Sequence, residues 1–213
     1  MPNCPSGTGG SAAREPVVGP LALLGGTFDP PHVGHVATAS IVRHALGIDQ
    51  VWMVVANRPW QKEGTREITA AEDRLAMTRA AVEGIEGVSA SDIEIRRGGQ
   101  SYTADTLRAL HAACPARDLL VVVGADTAAG LPSWERADEV RAGSTLVLVD
   151  RPGIACAGLP EGWAFTRVTI PRLDVSSTDL RRRVRAGEPI DGLVPPAVGD
   201  IIKERGLYRE ARP

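Results

Sequence analysis

Two histidines three residues apart, His32 and His35, follow Gly25-Gly26 and the Pro30-Pro31 pair in the stretch "LLGGTFDPPHVGH". Residues three apart share one side of a helix, so both imidazoles can aim ring N–H groups at the same ligand. An imidazole offers an N–H in its neutral and its charged form, which suits phosphate oxygens. The glycines let the backbone turn tightly and approach a ligand, and a helix starting after Pro31 points its N-terminus at the same spot. The chemistry is therefore anion binding. Taken alone, His-x-x-His also describes two surface histidines, and as a zinc site it lacks further spaced ligands. Glycine and proline after a strand mean, alone, only a turn. The specific signal is the combination of strand, Gly-Gly, His-x-x-His and helix.

A second constellation lies far along the chain in "VSSTDLRRR", Val175 to Arg183. Ser176 with Asp179 three residues on has the spacing of a helix cap, and Arg181, Arg182 and Arg183 read equally well as the solvated face of an exposed helix.

These residues must be positioned by the elements around them. The runs "LALL" (21–24), "VWMVVA" (51–56), "LLVVV" (119–123) and "TLVLV" (145–149) are continuously apolar, as parallel strands covered on both faces require. "SDIEI" (91–95) and "FTRVTI" (165–170) read as further, partly polar strands. Helical faces are formed by Val36, Ala39, Val42 and Leu46, by Ala71, Leu75 and Val82, and by Leu107, Leu110 and Cys114. Leu180 and Val184 mark a short helix ended by Gly187, and Val198, Ile201 and Ile202 another between Pro195-Pro196 and Gly206. This order predicts an α/β fold, a doubly wound and mostly parallel sheet with a small C-terminal helical part, binding its ligand outside the carboxyl ends of the strands.

Composition narrows the partners. With 213 residues, 43% hydrophobic, the chain can bury a substantial core. A formal net charge of −2 supplies no concentrated positive field, so nucleic acid and membrane surfaces are not expected partners. No apolar run approaches a membrane span. Residues 1–20 are small, polar and glycine-rich and read as a flexible tail, leaving 21–210 as the functional domain. Cys4, Cys114 and Cys156 are odd in number and widely spaced, which suggests reduced thiols and a cytoplasmic location.

At the level of motifs, "GGTFDPPHVGH" resembles the (H/T)xGH signature of the nucleotidyltransferase superfamily, in the form typical of bacterial nicotinate mononucleotide adenylyltransferases. "VSSTDLR" resembles the family's second signature, ISSTxxR, and the similarity runs from about Leu21 to Tyr208. The resemblance implies a Rossmann-like nucleotidyltransferase fold and adenylyl transfer from ATP to nicotinate mononucleotide, an activity of NAD biosynthesis. It implies that His32, His35 and Arg181 are catalytic. ATP would be bound by Gly25, Gly26, Thr27, Phe28, Gly34, Ser176, Ser177 and Thr178. Magnesium (Mg2+) would arrive with ATP, with no separate metal cage, and the resemblance leaves room for a homo-oligomer.

On the acceptor side the resemblance points to Lys62 in "RPWQK" for the mononucleotide phosphate, although many relatives have Pro-His-Lys where this chain has Trp60-Gln61-Lys62. Thr103 at a helix start would meet the nicotinate carboxylate, with Tyr102 walling the pocket and Trp134 stacking on the cationic pyridine ring. Gly124 and Asp126 follow a strand where the dinucleotide ribose would lie, and Arg151 follows the next. A phosphopantetheine adenylyltransferase typically carries threonine at the place of His32. A nicotinamide-preferring enzyme would share nearly all of these residues, and a non-catalytic nucleotide sensor would be expected to lack His35 or Arg181. The glycine fingerprint of a nicotinamide-dependent dehydrogenase is absent.

Overall fold

The structure, a computed structural model, describes residues 19–59, 68–150 and 161–209. Six parallel strands are formed by β1 (Leu21–Gly26), β2 (Gln50–Val55), β3 (Val88–Ser91), β4 (Leu119–Gly124), β5 (Thr145–Asp150) and β6 (Phe165–Thr169), in the order β3-β2-β1-β4-β5-β6. The chain reverses direction across the sheet between β1 and β4, so a crevice opens at their carboxyl ends. Gly26 ends β1 and Gly124 ends β4, which places both at that crevice.

The strand residues are apolar throughout because both faces are covered. On one face Leu21 and Leu23 of β1, Val121 and Val123 of β4, and Leu146 and Leu148 of β5 pack with Leu107 and Leu110. The latter two lie on α4 (Thr103–Ala113). On the other face Ala22, Met53, Val122 and Val147 pack with α1 (Val33–Leu46) through Ala39 and Val42, and with α2 (Ala71–Val82) through Leu75 and Val82. A smaller core joins Met77 and Ala81 of α2 to Leu180, Val198 and Ile202. Those three belong to α7 (Ser177–Ala186) and α8 (Pro196–Glu204), the expected C-terminal helical part. Gly187 ends α7 with φ 67°, a left-handed conformation that glycine adopts without penalty.

Two expectations need correction. The "SDIEI" stretch is not a strand: β3 ends at Ser91, and Ile93–Arg97 form the short helix α3. Alternation over so few residues does not separate strand from helix, and here the helix buries Glu94. Cys114, at the end of α4, is disulfide-bonded rather than reduced. Cys4 and Cys156 both lie outside the described residues.

Two more helices follow β4: α5 (Ala125–Ala128) and, after a 3-10 turn at Leu131–Ser133, α6 (Ala137–Gly143). Among the described residues no helix is long and apolar enough to cross a membrane.

Candidate active site

The turn after β1 runs straight into α1, and its residues are held in place from below. Gly25 is exposed, and a Cβ there would meet nothing within 4 Å, so the backbone faces open space. Gly26 is different. A Cβ on it would stand 2.7 Å from the Phe28 ring, so this position requires glycine. Phe28 itself has φ 51° and is 2% exposed; its ring meets His35 edge-on, centroids 5.0 Å apart at 88°. A phenylalanine in the left-handed region is a local cost that the surrounding packing sustains. The Phe28 side chain thus supports His35 from within the fold.

His32 is the N-cap of α1, and His35 lies one turn on. Their rings stack, with centroids 3.7 Å apart and 21° between planes. The His32 backbone N–H donates to His35 Nδ1 at 3.3 Å. With Nδ1 accepting, a neutral His35 carries its proton on Nε2, on the far side of the ring. Gly34 provides room, since a Cβ there would lie 3.1 Å from the His32 ring and 3.2 Å from Val175.

That last contact brings the second motif against the first. Ser177 Oγ donates to the Pro30 carbonyl at 2.8 Å, and Arg181 Nη1 donates to the Asp29 carbonyl at 2.7 Å. Arg181 is 6% exposed and also donates to Thr178 Oγ1 at 3.2 Å. Ser176 caps α7 by accepting the Asp179 N–H at 3.1 Å. The N-termini of α1 and α7 therefore meet at the β1 turn with a buried guanidinium between them, an arrangement suited to several phosphate oxygens. Arg182 and Arg183 stay at the surface as expected, but they are ion-paired to Asp179 and Glu188. Those hydrogen bonds hold the Asp179 and Glu188 carboxyls below their ordinary pKa values.

On the acceptor side Tyr102 is the N-cap of α4, with no side-chain cap bond, and Thr103 is the first helical residue. The Arg136 guanidinium lies 5.5 Å over the Tyr102 ring and pairs with Asp105 at 2.7 Å. Trp134, two residues earlier, is half-buried against the core, and its Nε1–H is buried with no hydrogen-bond partner among the described residues. Gly124 and the backbone of Asp126 follow β4 as expected. Lys62, Trp60 and Arg151 lie outside the described residues.

Sequence reasoning assigned nothing to four residues that build this site. Asp29, 1% exposed, accepts from Tyr208 Oη at 2.8 Å. Burial first, then the Asp29 charge, pushes the Tyr208 phenol far above its ordinary pKa, so it remains a donor. Arg74, 1% exposed, donates to the carbonyls of Thr27, Ala56, Asn57 and Thr69 at 2.6–2.9 Å. Glu94 is buried beneath the start of α4 and accepts from Thr106 Oγ1 at 2.7 Å. A sequence signal existed for Arg74, a charge sharing the inner side of α2 with Thr78 and Leu75.

Comparison with known proteins agrees with this geometry. Residues 23–183 match the family described as cytidylyltransferase-like. A Saccharopolyspora erythraea protein named "Probable nicotinate-nucleotide adenylyltransferase" is 43% identical over 192 residues, covering 89% of each chain. A Streptomyces coelicolor protein of the same name is 44% identical over 188 residues, covering 87% of this chain and 99% of its own. In fold, the chain is similar to Plasmodium falciparum nicotinic acid mononucleotide adenylyltransferase complexed with NaAD, with a TM-score of 0.72 at 18% identity, covering 88% of this chain and 96% of that one. With both motifs meeting at one turn and such identity over nearly the whole domain, this chain belongs to the cytidylyltransferase-like family and, within it, to the nicotinate-nucleotide adenylyltransferases.

Proposed function

We propose that the protein transfers the adenylyl group of ATP to nicotinate mononucleotide. A 5′-phosphate oxygen of the acceptor attacks the α-phosphorus; the bond from that phosphorus to the bridging oxygen breaks, and its electron pair leaves with pyrophosphate. The product is nicotinate adenine dinucleotide. The observation that carries this reading is the junction of the two helix N-termini, with stacked His32 and His35 on one and Arg181 on the other.

No side chain has to become a nucleophile. Two polyanions must be held in line while negative charge shifts toward the leaving pyrophosphate, which fixed N–H donors favour more in the transition state than in the ground state. His35 Nε2–H and His32 serve the phosphate on which charge builds, and the exposed Gly25 lets ATP lie against the backbone. Arg181 and the N–H groups at the start of α7 hold the leaving pyrophosphate. Among the described residues no group of acidic and histidine side chains could hold a metal ion. We assign magnesium to the substrate, as the counter-ion that the ATP triphosphate brings with it.

The first turn of α4 is assigned to the nicotinate carboxylate, because its leading N–H groups have no intrahelical acceptor and favour an anion over an amide. Trp134, whose buried Nε1–H has no hydrogen-bond partner among the described residues, is assigned to the pyridine ring. Use of ATP supports the cytoplasm as the compartment, and thiol titration of native protein tests the Cys114 disulfide.

The reaction is tested with ATP labelled at the α-phosphorus. The label is expected in a dinucleotide that forms only when nicotinate mononucleotide is present. Label released as AMP, or trapped on the protein, contradicts direct transfer.

A further inference from the structure

A line of polar groups runs under the crevice from the nucleotide side to the acceptor side. It starts at Arg74, whose Nη1 holds the Thr27 carbonyl in the β1 turn at 2.8 Å and whose Nη2 holds the Asn57 carbonyl at 2.9 Å. The Asn57 N–H donates to Ser101 Oγ at 2.8 Å, and Asn57 Nδ2 donates to the Gly99 carbonyl at 2.9 Å. The Ser101 N–H in turn donates to the Arg58 carbonyl at 3.0 Å. Ser101 directly precedes Tyr102, the N-cap of α4, and the Glu94 carboxylate beneath that helix receives Thr106 Oγ1–H at 2.7 Å.

Hydroxyl stoichiometry fixes the direction of each bond. Ser101 Oγ accepts the Asn57 N–H while the Ser101 N–H donates to the Arg58 carbonyl, so its position is set from both sides. Thr106 has one proton and two candidate acceptors, Glu94 Oε1 at 2.7 Å and the Tyr102 carbonyl at 3.5 Å; the shorter contact takes it. The Tyr102 carbonyl then receives the backbone N–H groups of Asp105 and Thr106 at 3.1 and 3.3 Å, which closes the first turn of α4.

We propose that Arg74, Ser101 and Glu94 are positioning residues for the acceptor: a buried strut that sets the α4 N-terminus at a fixed place relative to the β1 turn. None of the three touches substrate. In-line attack requires the acceptor's ring end and phosphate end to be placed against ATP within fractions of an ångström, so the strut acts on acceptor binding and alignment. The assignment of the α4 N-terminus to a ring carboxylate rests on the function proposed above.

The test is steady-state kinetics of the full chain. Ser101→Ala removes one oxygen and the bond it accepts from Asn57. It is expected to raise KM for the acceptor by about tenfold or more while KM for ATP stays within about twofold, because the misplacement falls on one substrate. Ser101→Thr restores the hydroxyl and is expected to return KM toward the wild-type value. Glu94→Gln, a second variant of unchanged shape, is expected to lower the preference for nicotinate over nicotinamide mononucleotide. Unchanged KM values accompanied only by a lowered Tm, or equal rises for both substrates, overturn the strut. Wild-type enzyme that ignores nicotinate mononucleotide but adenylates another acceptor overturns the carboxylate assignment instead, and the strut is then judged on that acceptor's KM in Ser101→Ala.

Discussion

His35 shows how one backbone bond decides what an imidazole offers. Because its Nδ1 accepts the His32 N–H, the donor left for a ligand is Nε2. His35→Ala is expected to cut turnover about 10²–10³-fold, the usual consequence of removing one preorganised donor, while the unfolding transition stays cooperative. Near-normal turnover would remove His35 from the reaction. Gly26 guards the same ring from beneath. Gly26→Ala places a methyl 2.7 Å from the Phe28 ring, which must move and carry its edge contact with His35 along. We expect kcat to fall by more than tenfold, with KM for the acceptor little changed. Tyr208→Phe deletes a buried donor to Asp29 and should lower stability by about 1–3 kcal/mol in denaturant unfolding.

At the scale of elements, helix starts do the work. Ser176→Ala removes the α7 cap and is expected to cost about 1 kcal/mol of stability. It should also weaken ATP binding, because the α7 N-terminus is assigned to the triphosphate. Beneath α4, burial raises the Glu94 pKa above its ordinary value, with bonds from Thr106 and Ser101 opposing the shift. A carboxyl whose pKa is raised on folding binds more protons in the folded state, so its contribution to stability is fully present at low pH. That contribution is lost as pH rises from the ordinary glutamate value, about 4.3, through the raised one. In Glu94→Gln this component of the pH–stability curve should disappear, which Tm measured across that window reports. The reverse slope, stability rising with pH at this site, would contradict the burial argument.

For the molecule as a whole, the site lies where the parallel sheet reverses its strand order, so neither half of the chain holds it alone. Ser177 reaches Pro30 and Arg181 reaches Asp29 across most of the domain. The sequence made this layout readable where patterns are local. Continuous apolar runs located four of the six strands and the partly polar run at 165–170 a fifth, and the two motifs located the anion end of the site. What stayed hidden depends on partners distant in sequence. Arg74 finds Thr27 47 positions away, and Tyr208 finds Asp29 179 positions away; no spacing rule connects them. Glu94 was placed in a strand because its alternating neighbours suit either element, and only the fold shows it beneath the α4 start. The same layout predicts that the dinucleotide product, touching both halves, stabilises the whole domain. At about one hundred times its dissociation constant it should add about 2.7 kcal/mol, or roughly 5–10 °C in Tm.

The measurement that tests the account most directly is pyrophosphate release from the purified protein with ATP and magnesium, offered nicotinate mononucleotide, nicotinamide mononucleotide or phosphopantetheine in parallel. Release that is much faster with nicotinate mononucleotide is the predicted result, and it ties the two helix N-termini to the triphosphate and the α4 N-terminus to the acceptor. Equal release with the nicotinamide compound, or release only with phosphopantetheine, contradicts the assignment of the acceptor pocket; no release with any of them contradicts the adenylyl transfer itself.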